Sequence, residues 1–185
     1  MSDADRHLFG IVGGAVLCFS PATVVVAADY LSIDAAQHAI FPEADAFIPV
    51  LPSLTLEQKQ HIAALAGQQP PHGTLSIWRA TRAGANVGYV FVDEVLGRSD
   101  LITYGLGIDA AGELRAIEIL SYRESHGGEI RNASWRKQFA NRHGLDDIVF
   151  RTDIKNISGA TLSSEHVTQG VRWLVALWQT VLAEP

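Results

Sequence analysis

Residues 87–122 read VGYVFVDEVLGRSDLITYGLGIDAAGELRAIEILSY, and side-chain character in this stretch alternates with a period of two. Val87–Val95, Leu101–Ile108 and Leu114–Tyr122 are rich in β-branched and aromatic residues and bounded by glycines, which predicts three strands. Leu75–Thr81 is a fourth run of the same kind just upstream. Asp109-Ala110-Ala111-Gly112 joins the last two strands with turn-forming residues. Links this short favour antiparallel pairing, because a parallel pair needs a crossover of about a dozen residues or more.

Outward from the strands, the pattern becomes helical. Ser32–Ile40 predicts a short helix stopped by Pro42. Thr55-Leu56-Glu57-Gln58 has the spacing of a capping box and opens a helix that carries Ile62 and Leu65 and ends at Gly67. Gln69-Pro70-Pro71-His72-Gly73 reads as a loop. Beyond the sheet, Asn132–Arg142 predicts a helix capped by Asn132 and ended near Gly144. A last helix is predicted from about Ser163 to Leu182, with Val167, Val171, Leu174, Val175, Trp178 and Leu182 on one face. The fold class is α+β, a mainly antiparallel sheet flanked by helices.

The chain has 185 residues, one domain's worth, and at 48% hydrophobic and 18% charged it has the composition of a packed globule. A net charge of −6 argues against a nucleic-acid or anionic-membrane surface. One cysteine excludes both a disulfide framework and a thiolate zinc site within the chain. No period of 20–50 residues repeats.

Leu8–Ala28 contains no Asp, Glu, Lys, Arg or His and closes with Val26-Ala27-Ala28, small residues suited to signal-peptidase cleavage before Asp29. Asp3 and Asp5 against Arg6 depart from the usual positive start of a signal. Residues 1–28 are therefore expected to be a signal peptide cleaved near Ala28 or a membrane anchor. Cleavage there removes Cys18, which suits an oxidising compartment.

The stretch that carries chemistry is Asp153-Ile154-Lys155-Asn156-Ile157-Ser158-Gly159-Ala160-Thr161-Leu162-Ser163-Ser164. It is a small-residue loop running into an amphipathic helix. First-turn N–H groups lack intrahelical partners, and the helix dipole places partial positive charge on them. Ser158, Thr161, Ser163 and Ser164 fit two roles, a hydroxyl-rich helix cap or a phosphate site.

Ser158-Gly159-Ala160-Thr161 followed by Leu162-Ser163 resembles the flavinylation motif of the FMN-binding domain family. That family includes flavin-bearing subunits of the sodium-pumping NADH:quinone oxidoreductase and of a related electron-transport complex. Tyr122-Arg123-Glu124-Ser125-His126-Gly127-Gly128-Glu129 is similar to the family's glycine loop beside the flavin, and Val92-Asp93-Glu94-Val95 through Ile108-Asp109 to the preceding sheet of its small stand-alone members. Those members also begin with a secretion signal and two short helices. The resemblance implies a helical preface at 29–70 and an FMN-binding domain at 71–185. One departure is Lys155, which stands six residues before Thr161 where respiratory members carry an aspartate; Asp153 lies two residues earlier.

The resemblance implies FMN attached covalently by a phosphoester to Thr161, installed outside the cytoplasm by a flavin transferase. The cofactor-binding set it implies is Ser158, Gly159, Ala160, Thr161, Leu162 and Ser163 with Glu124, Ser125, His126, Gly127 and Gly128. Trp78, Tyr89, Tyr104 and Trp135 are stacking candidates for which a core role is the stronger expectation. Seven scattered histidines show no metal-ligand spacing, and Ser158, His166 and Asp153 lack the form of a hydrolase triad. Arg131, Arg136, Lys137, Arg142 and His143 form a basic cluster that fits a solvated face or a dock for an acidic partner. The expected function is an extracytoplasmic, periplasmic carrier passing electrons from a membrane-bound donor to an acceptor, with no nucleic acid involved. The alternative is a flavin-dependent reductase of a small acceptor such as a ferric chelate or quinone.

Overall fold

The computed structural model describes residues 28–69, 74–124 and 127–183. Residues 1–27 of the expected 1–28 leader, the core of the Pro-Pro loop, Ser125 and His126 lie outside the described residues. Six antiparallel strands form one sheet in the order β1-β6-β5-β4-β3-β2. They are β1 (Ala28–Asp29), β2 (Ala46–Val50), β3 (Ser76–Arg82), β4 (Ala85–Leu96), β5 (Leu101–Asp109) and β6 (Leu114–Tyr122). Strands β2 to β6 make an up-and-down meander, and β1 closes the far edge beside β6.

The two capped helices form as their residues dictate. Helix α1 (Ile33–Ile40) is capped by Ser32, whose hydroxyl accepts from Ala35 N at 3.1 Å. Helix α2 (Leu56–Ala66) has the complete capping box: Thr55 N donates to Gln58 Oε1 at 2.9 Å and Gln58 N to Thr55 Oγ1 at 3.1 Å. The 29–70 stretch also supplies β2, which pairs with β3, so this preface is woven into the sheet. Pro49 is tolerated there because β2 is an edge strand, where a missing N–H breaks no ladder bond.

Strand β4 is buried along most of its length because the sheet is covered on both faces. Phe91 and Val95 face the principal core with Val167, Val171 and Leu174 of helix α4 (Thr161–Leu177). Val90 and Val92 face the other way, toward Ile40, Phe41 and Ala36 of the α1 region. The last helix starts two residues before its predicted first residue, and a π-helical turn (Trp178–Leu182) completes the expected span.

The helix expected over 132–142 is shorter. Helix α3 covers Ala133–Arg136 and passes into a 3₁₀ turn at Lys137–Phe139. Asn132 occupies the cap position without a side-chain bond. The helix stops because Asn141 N donates to Leu114 O at 2.9 Å and Leu114 N to Arg142 O at 2.8 Å. Pairing with the start of β6 replaces the helical bonds, and Asn141 takes a φ of 60°.

A slip in the β5–β6 register between Thr103 and Tyr104 has a consequence for the site. Strict alternation from Ile119 would turn Tyr122 toward α1. The bulge restores Tyr122 to the α4 face, where it joins the principal core.

Candidate functional site

The loop before α4 is held from several sides. Trp135 Nε1 donates to Lys155 O at 2.8 Å, and Lys155 N donates to Gln138 Oε1 at 2.9 Å. Both backbone groups of Lys155 are thereby tied to the α3 region. Asp153 Oδ2 accepts from Val149 N at 2.9 Å, which commits its carboxylate to the turn preceding the loop. The chain then reverses at Gly159, whose φ of 84° favours glycine, and Ala160 N donates to Ile157 O at 3.0 Å.

Ala160 is the cap residue of α4, and no side chain caps the helix. The hydroxyl-cap reading of the loop therefore does not hold. Ser164 turns inward and donates to Ala160 O at 2.9 Å or Thr161 O at 3.0 Å, while accepting from Ile157 N at 3.5 Å. Ser163 is buried and pairs with the Tyr122 hydroxyl at 3.3 Å. Burial pushes the Tyr122 phenol up, against the opposing bond from Ser163. Ser158 is exposed, and half-buried Thr161 has only a 3.5 Å contact from Asn156 Nδ2. Thr161 thus stands at the open helix end and lines a cleft, as Ser163 also does, but without a buried partner such as Tyr122 for its hydroxyl.

That cleft has a volume of about 630 Å³, within the range of about 300–1,000 Å³ usual for ligand sites. It is lined by Gly159 through Ser163, by Glu124, and by Arg98 and Ser99 of the β4–β5 turn. A neighbouring cleft of about 480 Å³ is lined by Tyr30, Tyr122, Gly127, Gly128 and Arg131, and again by Glu124. The predicted residues are therefore divided. The threonine loop faces the first cleft and the glycine loop the second, with Glu124 between them and Gly127 packed against Ala160.

Glu124 Oε1 accepts from Ser99 N at 2.6 Å and Asp100 N at 3.1 Å. Burial pushes this carboxyl up, but the N–H groups of Ser99, Asp100 and Arg98 and the Arg98 guanidinium outweigh it and hold Glu124 below the usual range. In the second cleft the Arg131 guanidinium lies 4.2 Å over the Tyr30 ring, and its Nε donates to Gly128 O at 3.1 Å.

Other candidates resolve into structural roles. Tyr89, Tyr104 and Trp135 are in the core, and Trp78 packs against the Ala36, Val92 and Leu120 cluster. Ser158, His166 and Asp153 do not converge: His166 Nδ1 meets Leu96 O, and Asp153 serves its own turn. In the basic cluster, Arg136 pairs with Glu118 and donates to Ile117 O, His143 lies 3.3 Å from Glu113, and Arg142 donates to Gln138 O.

Arg98, Ser99 and Tyr30 were not among the sequence candidates. The first two carry a legible signal. The Asp109–Gly112 turn sets the β5–β6 register, and that register brings the start of β5 beside the end of β6, so the turn at 97–100 must lie next to Glu124.

Residues 97–176 match the FMN-binding domain family. The match begins at the β4–β5 turn and runs through both clefts to the last turn of α4. The chain is also similar to a subunit of the Na(+)-translocating ferredoxin:NAD(+) oxidoreductase complex of Acetobacterium woodii, 26% identical over 156 residues, 79% of this chain and 73% of that protein. Among the described residues no helix is long and apolar enough to cross a membrane.

Proposed function

We propose, from the match of residues 97–176 to the FMN-binding domain family, that this chain is an extracytoplasmic electron carrier whose FMN is joined through its phosphate to Thr161. The observation that carries the reading is the placement of Thr161 at an uncapped helix N-terminus, on the wall of a cleft large enough for the cofactor. The residues fit the group. The N–H groups of Thr161, Leu162 and Ser163 open the helix and suit phosphate oxygens, and the small side chains at 159 and 160 admit close approach. Ser163 and Ser164 shape the loop through buried bonds. In the attachment, the Thr161 Oγ–H bond and the P–O–P bond of a flavin pyrophosphate donor held by the transferase break, an Oγ–P bond forms, and the second phosphate of the donor leaves with the proton, so that the chain gains one FMN less one water.

Bound FMN supplies reversible one- and two-electron chemistry, and the protein supplies orientation and electrostatics. A phosphoester retains a small cofactor outside the cytoplasm, where free FMN is scarce. Maturation requires a flavin transferase, and the name of the Acetobacterium relative favours a membrane-bound redox donor as the partner. Leu8–Ala28 favours export, by a cleaved signal or with an anchor. A second reading, reduction of a small diffusible acceptor such as a quinone or ferric chelate, is favoured by the open second cleft beside the first.

The test is co-expression with a flavin transferase, export, and flavin fluorescence in a denaturing gel. Wild-type and Ser158→Ala protein are expected to fluoresce and Thr161→Ala protein to be dark. Equal fluorescence from Thr161→Ala protein would overturn the attachment.

A further inference from the structure

Glu124 looks from the sequence like a residue that touches the cofactor, yet one of its oxygens is already engaged by the β4–β5 turn. Gly97 makes that possible: a Cβ at 97 would stand 2.6 Å from Glu124 Oε1. Gly97 N donates to Asp100 O at 2.8 Å, so the turn is closed on itself as well as pinned to Glu124. A carboxylate reaching across from the end of β6 thereby fixes a four-residue turn over the cleft.

The turn presents one cation, Arg98, and Arg98 is the only cationic residue lining the first cleft among the described residues. Its guanidinium is attracted by the Glu124 carboxylate but makes no hydrogen bond or ion pair within 4 Å among the described residues. Arg98 is exposed and lines the same cleft as Thr161 and the open helix end. A planar guanidinium in the same cleft as a set of first-turn N–H groups can share a phosphate with them, supplying bidentate donors beside the backbone donors.

Resting on the FMN reading above, we propose that Arg98 is the residue that recognises the FMN phosphate, and that Glu124 is a positioning residue which holds the Arg98 turn over Thr161. Glu124 then contributes through its grip on Ser99 and Asp100, without contact to the flavin ring. The site consequently selects a phosphorylated flavin before any bond to Thr161 forms.

The experiment uses full-length Thr161→Val protein, which keeps the β-branched shape and cannot form the phosphoester, titrated with FMN and with riboflavin. A preference for FMN over riboflavin is expected. Arg98→Gln in the same background should lower that preference about tenfold or more, the scale of a charge-assisted hydrogen bond, with riboflavin affinity unchanged. Arg98→Lys should recover part of it. Glu124→Ala should weaken the preference, and Glu124→Gln should restore it, because the amide oxygen still accepts from Ser99 and Asp100. An unchanged preference in Arg98→Gln protein, or no preference in the Thr161→Val parent, overturns the role of Arg98. The underlying reading fails separately, if wild-type chain exported with the transferase carries no flavin.

Discussion

Gly127 packs so closely on Ala160 that a methyl group at 127 would stand 2.6 Å from the Ala160 Cβ and 2.6 Å from the Tyr122 hydroxyl. This contact joins the glycine loop to the residue that caps α4, and it lies where the two clefts meet. Because φ at Gly127 is 86°, a side chain there is opposed by backbone conformation as well as by space.

Gly127→Ala should therefore destabilise the fold by about 1–3 kcal/mol, the range for overpacking a tight contact. It should also lower the flavinylated fraction, since Ala160 directly precedes Thr161. Adding Ala160→Gly removes one of the two clashes and should recover part of the stability. Urea unfolding of the three proteins checks this; additive losses in the double variant would contradict it.

Trp135 tests the loop from its other side. Trp135→Phe keeps an aromatic ring against Phe139, now 5.2 Å away edge-on, and deletes the bond to Lys155 O. The expected cost is about 1 kcal/mol, with the Lys155 carbonyl left to find another donor. Amide exchange should quicken in residues 155–160 and stay unchanged in β4. Uniform quickening across the sheet would show a general packing loss instead.

Asp93 gives the stability a pH dependence. It is 1% exposed on the α4 face of β4, where it accepts from the Tyr104 hydroxyl at 2.9 Å. Burial raises its pKa from 3.8 to about 6, with the bonds from the Tyr104 hydroxyl and the Glu94 N–H opposing the rise and the Glu94 charge reinforcing it. Between those two values the folded chain holds a proton that the unfolded chain has released. This contribution to stability is therefore full at low pH and is lost as pH rises toward 6. Compared with Asp93→Asn, the wild type should lose on the order of 2 kcal/mol between about pH 4 and about pH 7. Urea midpoints across that range check it, and a constant difference between the two proteins would contradict it.

The four central strands were legible because they are rich in β-branched and aromatic residues and bounded by turn residues, even where bulges interrupt the period of two. Strand β2 was not, since Pro49 demotes a short run that only an edge position tolerates. The 132–142 helix was overread because no local signal announces that Asn141 and Arg142 pair with Leu114. In the site, the Thr161 loop was legible from its small residues and hydroxyls, but their division of labour was not. Ser163 and Ser164 are drawn inward by Tyr122 and by carbonyls of the helix start, and only the fold brings those partners together. Arg98 was missed for the same reason, as its place is fixed by Glu124, 25 residues away from Ser99.

Tyr122 separates shaping the loop from attachment. Tyr122→Phe removes the 3.3 Å contact with Ser163 and should cost about 1 kcal/mol, while Thr161 keeps its place at the helix start. Covalent flavin should therefore persist in this variant at close to the wild-type fraction, read by absorbance after denaturation. Loss of flavin as complete as in Thr161→Ala protein would make the Tyr122–Ser163 pair part of the attachment machinery.

The most direct test of attachment is the intact mass of wild-type protein exported alongside a flavin transferase, followed by mapping of the modified peptide. The expected result is a gain of one FMN less one water, carried on the peptide that contains Thr161. An unmodified mass, or the same gain on a peptide without Thr161, would contradict it.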